Sequence, residues 1–184
     1  MVANSDFEVL YIVSQVLAFI AFTCDIIAMQ QRKKSTLLKY DVAAALFLSL
    51  HYAFLGAWAG MISKLITTVR NGLAAYEASK NRKNKFLPIV FIVLYIALGT
   101  FVIDSWYSII PLLVPSIYTV AIYIGNVKQV RYTAVCTNSL WLIYNICVSS
   151  IVGSISAIIL IINGIIAIYR YRGKTIGKTK KKKQ

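Results

Sequence analysis

The placing of the basic residues constrains this chain more than any other feature. Of its 20 lysines and arginines, 18 fall in short clusters between apolar runs. Seven such runs can be marked, at approximately 9–29, 42–58, 60–76, 86–103, 106–125, 132–149 and 151–169. Each approaches the ~20 residues that a helix needs to cross a bilayer, the third least convincingly. If all seven cross, the gaps between them alternate sides. One side then holds Arg32, Lys33, Lys34 and Lys39; Lys80, Arg82, Lys83 and Lys85; Lys128 and Arg131; and the tail from Arg170 to Lys183. The other side has the N-terminus and the gaps LGAWAG, DSW and SSIVGS, with no basic residue. Dropping any one span scrambles this partition. The rule that cytoplasmic loops are the basic ones then predicts an outside N-terminus and a cytoplasmic C-terminus. Lys64 and Arg70, the two cations left over, fall inside the third run.

Composition agrees with a membrane chain. It is 59% hydrophobic and 14% charged with a net charge of +14, where a soluble domain carries about a quarter charged residues. A basic nucleic-acid binder would spread its cations along one face, which the clustering excludes. Cys24, Cys136 and Cys147 are widely spaced in apolar segments and read as small apolar filler, with no disulfide framework or metal spacing. A single histidine leaves no multi-histidine metal site, and no cofactor is expected. The N-terminal MVANSDFEVLY is acidic where a signal peptide is basic, and it reads as the start of a retained helix. The tail, 171–184, reads as an unstructured basic anchor drawn to anionic headgroups. A homo-oligomer is compatible with the sequence.

The chain repeats itself. Ser49–Leu50 aligns with Ser139–Leu140, which sets His51 on Trp141, and Asn71–Gly72 then meets Asn163–Gly164 if the second copy takes two extra residues. In both copies an alanine, Ala75 or Ala167, follows the asparagine by four residues. The unit is three helices. The expected organisation is a first bundle at 1–79, a linker with the fourth span at 80–104, a second bundle at 105–170 and the tail. The fourth span restores the orientation that three crossings would invert, so the two bundles are parallel, a 3+1+3 all-α membrane fold.

These features resemble the SWEET and PQ-loop transporter superfamily, and more closely the YgjV-type family of bacterial inner-membrane proteins. The resemblance rests on HYAFLGAWAGM and RNG between His51 and Gly72, on Trp141, Tyr144 and Asn145, and on Asn163–Gly164. It implies a multi-pass protein of the bacterial cytoplasmic membrane. The proline-glutamine pair expected near Asp25 is absent. SWEET-like sugar sites pair a tryptophan with an asparagine about four turns on; Asn163 lies 22 residues after Trp141, more than a turn too far. Sugar specificity therefore does not carry over.

Two polar stripes follow helical spacing: Lys64, Thr67, Thr68 and Asn71 in the third span, and Asn138, Trp141, Asn145 and Ser149 in the sixth. They read either as the lining of a polar interior, with His51, Asn71, Asn138, Trp141, Asn145 and Asn163 as candidate solute contacts, or as glue between helices. Arg70 needs a partner or a wet cavity, because a mid-span arginine costs at least ~2.5 kcal/mol to insert. Asp25 and Asp41 are its expected partners, either as a lock inside the first bundle or as a cytoplasmic gate. Lys64 is expected to reach out towards the opposite face. Gly72 is expected to let a neighbouring helix come close. Pro111 and Pro115 should bend or hinge the fifth span.

Three function classes follow. A carrier would rock two bundles about a midplane site, passing a sugar, a nucleoside or a similar small polar solute down its gradient. A non-transporting scaffold or receptor would use its polar residues only to pack helices. An enzyme is not expected, since no constellation for hydrolysis or group transfer is present.

Overall fold

The protein is described here by a computed structural model covering residues 2–31, 33–80, 82, 84–124 and 127–181. Arg32 and Lys83, counted above with the basic loops, lie outside the described residues, as do 182–184 of the tail. The described chain has seven α-helices and no strand: α1 Val2–Gln30, α2 Lys34–Phe54, α3 Trp58–Ser79, α4 Leu87–Thr100, α5 Ile110–Ile124, α6 Val127–Cys147 and α7 Ile151–Lys181. A 3-10 turn, Trp106–Ile109, leads into α5.

The helices follow the seven apolar runs, with informative differences at their ends. α2 begins at Lys34, eight residues before its apolar run, because KSTLLKYD contains neither glycine nor proline to stop it. Lys39 and Asp41 are therefore carried on a helix. α7 runs on to Lys181, so the backbone of most of the tail continues the helix instead of lying unstructured. No proline interrupts it, and its glycines cost only about 1 kcal/mol each.

Glu8–Ala28, Lys34–Phe54 and Trp106–Tyr123 are long and apolar enough to cross a membrane by length and composition; Leu87–Thr100 and Ile151–Ile166 are shorter apolar helices. α3 and α6 fall short of that measure because they carry the polar stripes. α3 buries Ser63, Thr67, Arg70 and Asn71 along one side.

α1 packs on α2, α2 on α3, α5 on α6 and α6 on α7. The circuit closes where α1 meets α7 and α3 meets α5. α4 stands against α3 and α5, with Ile89, Val90, Val93, Ile96 and Leu98 exposed on its free side. The end carrying the α2–α3 and α6–α7 turns has no basic loop and is called the neutral end; the opposite end, with Lys33, Lys34, Lys80 and Lys85, is the basic end.

The two neutral-end turns are built alike. In the first, the N–H groups of Leu55, Gly56 and Ala57 donate to the carbonyls of His51, Ala53 and Tyr52. In the second, those of Val148, Ser149 and Ser150 donate to Tyr144, Ile146 and Asn145. Every partner in the second set falls 93 residues after its counterpart in the first. Gly56 and Ser149, the second-last in each set of six, both take the left-handed conformation, at φ 69° and 55°. The structural equivalents are therefore His51 with Tyr144 and Tyr52 with Asn145. The sequence alignment of His51 on Trp141 is three residues out of register.

Candidate functional site

The neutral end is closed by a layer of buried polar side chains. His51, fully buried, lies 2.7 Å through Nδ1 from the Ser14 carbonyl of α1 and 2.8 Å through Nε2 from Ser150 Oγ. A carbonyl can only accept, so Nδ1 carries the proton and Nε2 receives the serine hydroxyl. Ser150 Oγ also accepts the Gly153 N–H and caps α7. Tyr52 donates to Asn145 Oδ1 at 2.8 Å, and the Gly60 N–H donates to the Tyr144 hydroxyl at 2.9 Å. At the rim, Tyr11 donates to the Ser149 carbonyl and Gln15 accepts the Val152 N–H. The rings of Tyr52 and Trp141 stack at 6.0 Å. A side chain at Gly60 would collide with this layer, since a Cβ there would sit 2.6 Å from the Tyr144 hydroxyl. A cavity of about 110 Å³ between the α2–α3 turn and Asp104, Tyr107 and Ser108 reaches in as far as Tyr144.

Arg70, 1% exposed, occupies a cage of neutral oxygens. Its Nε and Nη2 donate to Asn71 Oδ1 at 3.1 and 2.9 Å, and Nη1 donates to the Pro115 carbonyl and Thr119 Oγ1 at 3.1 and 2.9 Å. The rings of Tyr95 and Tyr118 stand 5.9 and 5.7 Å from the guanidinium carbon. A guanidinium is weakly hydrated and presents a fixed fork of donors, which suits it to such a cage. The expected carboxylate partner is thus replaced by amide, carbonyl and hydroxyl oxygens. The lock fastens α3 to α5, not α3 to its own bundle. Asn71, expected among the solute contacts, spends its side-chain oxygen on Arg70. Gly72 is not a close-approach glycine either: a Cβ there would meet only Val42 Cγ2, at 4.0 Å.

The prolines divide. Pro111 stands in the first turn of α5, where a missing N–H costs nothing, so it makes no hinge. Pro115 is inside the helix, and its carbonyl is braced by Arg70 and by Thr119 Oγ1 at 2.6 Å.

Towards the basic end the interior changes character. The His51–Ser14 bond sets the register of α1 on α2 and brings Asp25 level with residues 40–41. The approach of Gly72 to Val42 sets α3 on α2 and brings Arg70 to the same level. Asp41 is about 10 Å in from the start of α2. Lys64 does not reach outwards. Its Nζ lies 3.9 Å from the centre of the Trp141 ring, in the fields of both Asp25 and Asp41. A cation over an indole face, drawn inwards by two carboxylates, is the more favourable placement. Tyr118 lies in the fields of Asp41, Arg70 and Asp25.

Asp25, Asp41, Lys64 and Tyr118 are each half-buried, Tyr118 against the apolar cluster of Leu38, Ala74, Ala75 and Ile122. Trp141 and Asn138 are likewise half-exposed on α6. The side chains of Asp25, Asp41 and Lys64 make no hydrogen bond to any described residue.

Asn163 does not join this interior. It lies on the exposed side of α7, while Gly164 faces inwards with Val135 Cγ2 only 2.5 Å from where a Cβ would be. With the turns equated, Gly164 matches Asn71 and Asn163 matches Arg70, whose side of α3 is covered by α5. Reading the sequence for polar stripes included Lys64 but not as a site residue, and passed over Tyr52, Tyr118 and Ser150. The available signal for Lys64 was charge balance, two cations and two acids in the first three spans.

The family described as "Bacterial inner membrane protein", Imp-YgjV, has a model that matches residues 12–175. No curated protein and no solved structure matches the chain.

Proposed function

The chain belongs to the Imp-YgjV family of bacterial inner membrane proteins, and on that premise we propose that it is a carrier for a small polar solute. The carrier crosses the membrane seven times, with the basic end in the cytoplasm and the N-terminus outside. It works by alternating access of two three-helix bundles, α1–α3 and α5–α7, joined by α4. The matched neutral-end turns support two related bundles. So do the contacts, because exchanging α1 for α5 and α3 for α7 turns the α3–α5 contact into the α1–α7 contact.

One observation carries the reading: half-buried ionisable side chains from α1, α2 and α3, Asp25, Asp41 and Lys64, that have no hydrogen-bonding partner among the described residues. Charges inside a membrane protein are costly, and those not used to hold the fold mark solute or ion paths. A packing-only role accounts for the neutral-end layer, whose bonds join helices and turns or cap α7. It leaves Asp25, Asp41 and Lys64 without a purpose.

The test is the melting temperature of the purified protein in detergent against sugars, nucleosides, amino acids and carboxylates. A bound solute raises it by mass action, by RT ln(1 + [L]/Kd) in free energy. One class of solute is expected to raise it, with the rise lost in Trp141→Ala. A flat response to all classes contradicts the proposal.

A further inference from the structure

We infer that the cavity at the neutral end binds a small organic ammonium, of the size of ethanolammonium, against the Asp104 carboxylate. The inference does not depend on the carrier reading, since such a site can be filled whether or not the chain moves a solute.

The cavity measures about 110 Å³. At ~30 Å³ for each water in the liquid, it has room for about four non-hydrogen atoms. Its wall includes the exposed Trp58 and Asp104 and the buried Tyr144 and Ser108, so it runs from the surface into the polar layer. Three polar groups on this wall are unspent. Ser105 and Ser108 donate to Asp104 Oδ1, which closes the turn, while Oδ2 bonds to no described residue. The Tyr107 hydroxyl has no partner among the described residues. Tyr144, 1% exposed, accepts the Gly60 N–H, and its own hydroxyl proton has no described acceptor. The rings of Tyr107 and Tyr144 meet at 6.2 Å, tilted by 59°, and Trp58 adds an indole at the mouth.

Charge chooses among ligands. The serine bonds keep the Asp104 carboxylate ionised at neutral pH. None of the neutral-end gaps holds a lysine or arginine to neutralise it. An anion would be opposed, and a neutral alcohol would leave the charge unmet. A divalent metal ion needs more oxygen ligands than one carboxylate supplies, and no group of three acidic, histidine or cysteine side chains stands among the described residues. An organic ammonium meets each demand. Its N–H groups can donate to Asp104 Oδ2 and to the Tyr107 hydroxyl. Its charge is drawn to tyrosine and indole rings, and an oxygen on the same frame can take the Tyr144 proton. Such an ammonium occurs free in water or as the headgroup of an ethanolamine lipid. The exposed Trp58 and Trp106 are of the type favoured at a membrane interface.

The experiment places the full chain in phosphatidylglycerol nanodiscs and follows ethanolammonium chloride by saturation-transfer NMR. Propanol, with a methyl group in place of the ammonium, and glycolate, with a carboxylate there, are the matched competitors. Saturable transfer is expected, with both competitors weaker by about tenfold or more. Asp104→Asn should weaken binding by about tenfold or more, and Tyr107→Phe by about threefold. Elution profiles in detergent report the folding of both variants. Ethanolamine lipid mixed into the nanodisc identifies the source: if it abolishes the transfer, the headgroup is the ligand, and if it changes nothing, the ligand is the soluble ammonium.

Propanol or glycolate binding as tightly as the ammonium would overturn the inference. So would unchanged binding in folded Asp104→Asn, or no saturable transfer at all. None of these outcomes bears on the carrier reading, whose own test is the solute panel.

Discussion

At the neutral end, His51, Tyr52, Tyr144, Asn145 and Ser150 are each at most 5% exposed, and each has a polar partner on another helix or turn. Deeper in, the ionisable side chains of Asp25, Asp41 and Lys64 keep accessible surface and have no such hydrogen-bonding partner among the described residues. The same ring of helices thus holds one layer that is saturated and one that is not. Polarity inside a membrane protein does not by itself signal a binding site; unsatisfied, accessible polarity does. Burying a polar group without a partner costs a few kcal/mol, so a partnered layer stabilises the fold while an unpartnered one persists for another reason.

Arg70 stands at the boundary and belongs to the saturated class. Arg70→Met would orphan Asn71 Oδ1 and break the tie between α3 and α5, a loss of about 3 kcal/mol that a melting curve in detergent would read. Arg70→Lys should recover little of it, because an ammonium cannot reproduce the fork. A full recovery would mean that the charge matters there and the cage does not.

The Asn-Gly pairs give the next largest effect. Gly164→Ala drives a methyl into Val135 and should cost about 1–3 kcal/mol. Gly72→Ala meets open space and should be neutral or gain up to about 1 kcal/mol from helix propensity. Equal losses at the two sites would break the equivalence of Gly164 with Asn71.

Sharpening the comparison between layers needs one substitution in each. Tyr52→Phe deletes the bond to Asn145 and should lower stability by about 1 kcal/mol, with uptake changed little. Asp41→Asn removes a charge without a described partner and should leave the melting point within about 0.5 kcal/mol of the parent, while uptake falls. The reverse pattern would exchange the roles of the two layers.

The smallest effect lies outside both layers. Hydrogen bonds from Ser105 and Ser108 hold the Asp104 carboxyl below the usual carboxylate range. A carboxyl whose folded pKa is depressed adds stability above its unfolded value, near ~3.9, and loses it as pH falls through the folded value. A slight loosening of the α4–α5 corner is therefore expected below about pH 4, seen as a drop in melting temperature and absent in Asp104→Asn.

Much of the fold was legible because apolar runs and basic gaps report helix count directly. Legibility failed where side chains, not patterns, decide. Gly56 announces its left-handed turn, but Ser149 makes the same turn without a glycine, so the Ser-Leu match at 49 and 139 misled the register by three residues. On a helix that shift turns a side chain by about 300°. The two Asn-Gly pairs matched as letters and differ in space, since α5 covers the Arg70 side of α3 and Asn163 lies open on α7. Lys64 was read as reaching outwards because sequence shows neither Trp141 beside it nor the two aspartates that draw it in.

The central claim is that the polar layer at the neutral end is saturated by its own partners and the polar groups deeper in are not. It is tested most directly by cysteine modification. With Cys24, Cys136 and Cys147 replaced by serine, Asn138→Cys and Ser49→Cys are compared in oriented membranes, using a charged thiol reagent that does not cross them. Asn138 is half-exposed on α6, and Ser49 is 2% exposed in the saturated half. The account predicts that position 138 reacts from the cytoplasmic side at least tenfold faster than position 49. Equal rates, or modification of position 138 only from the outside, would contradict it.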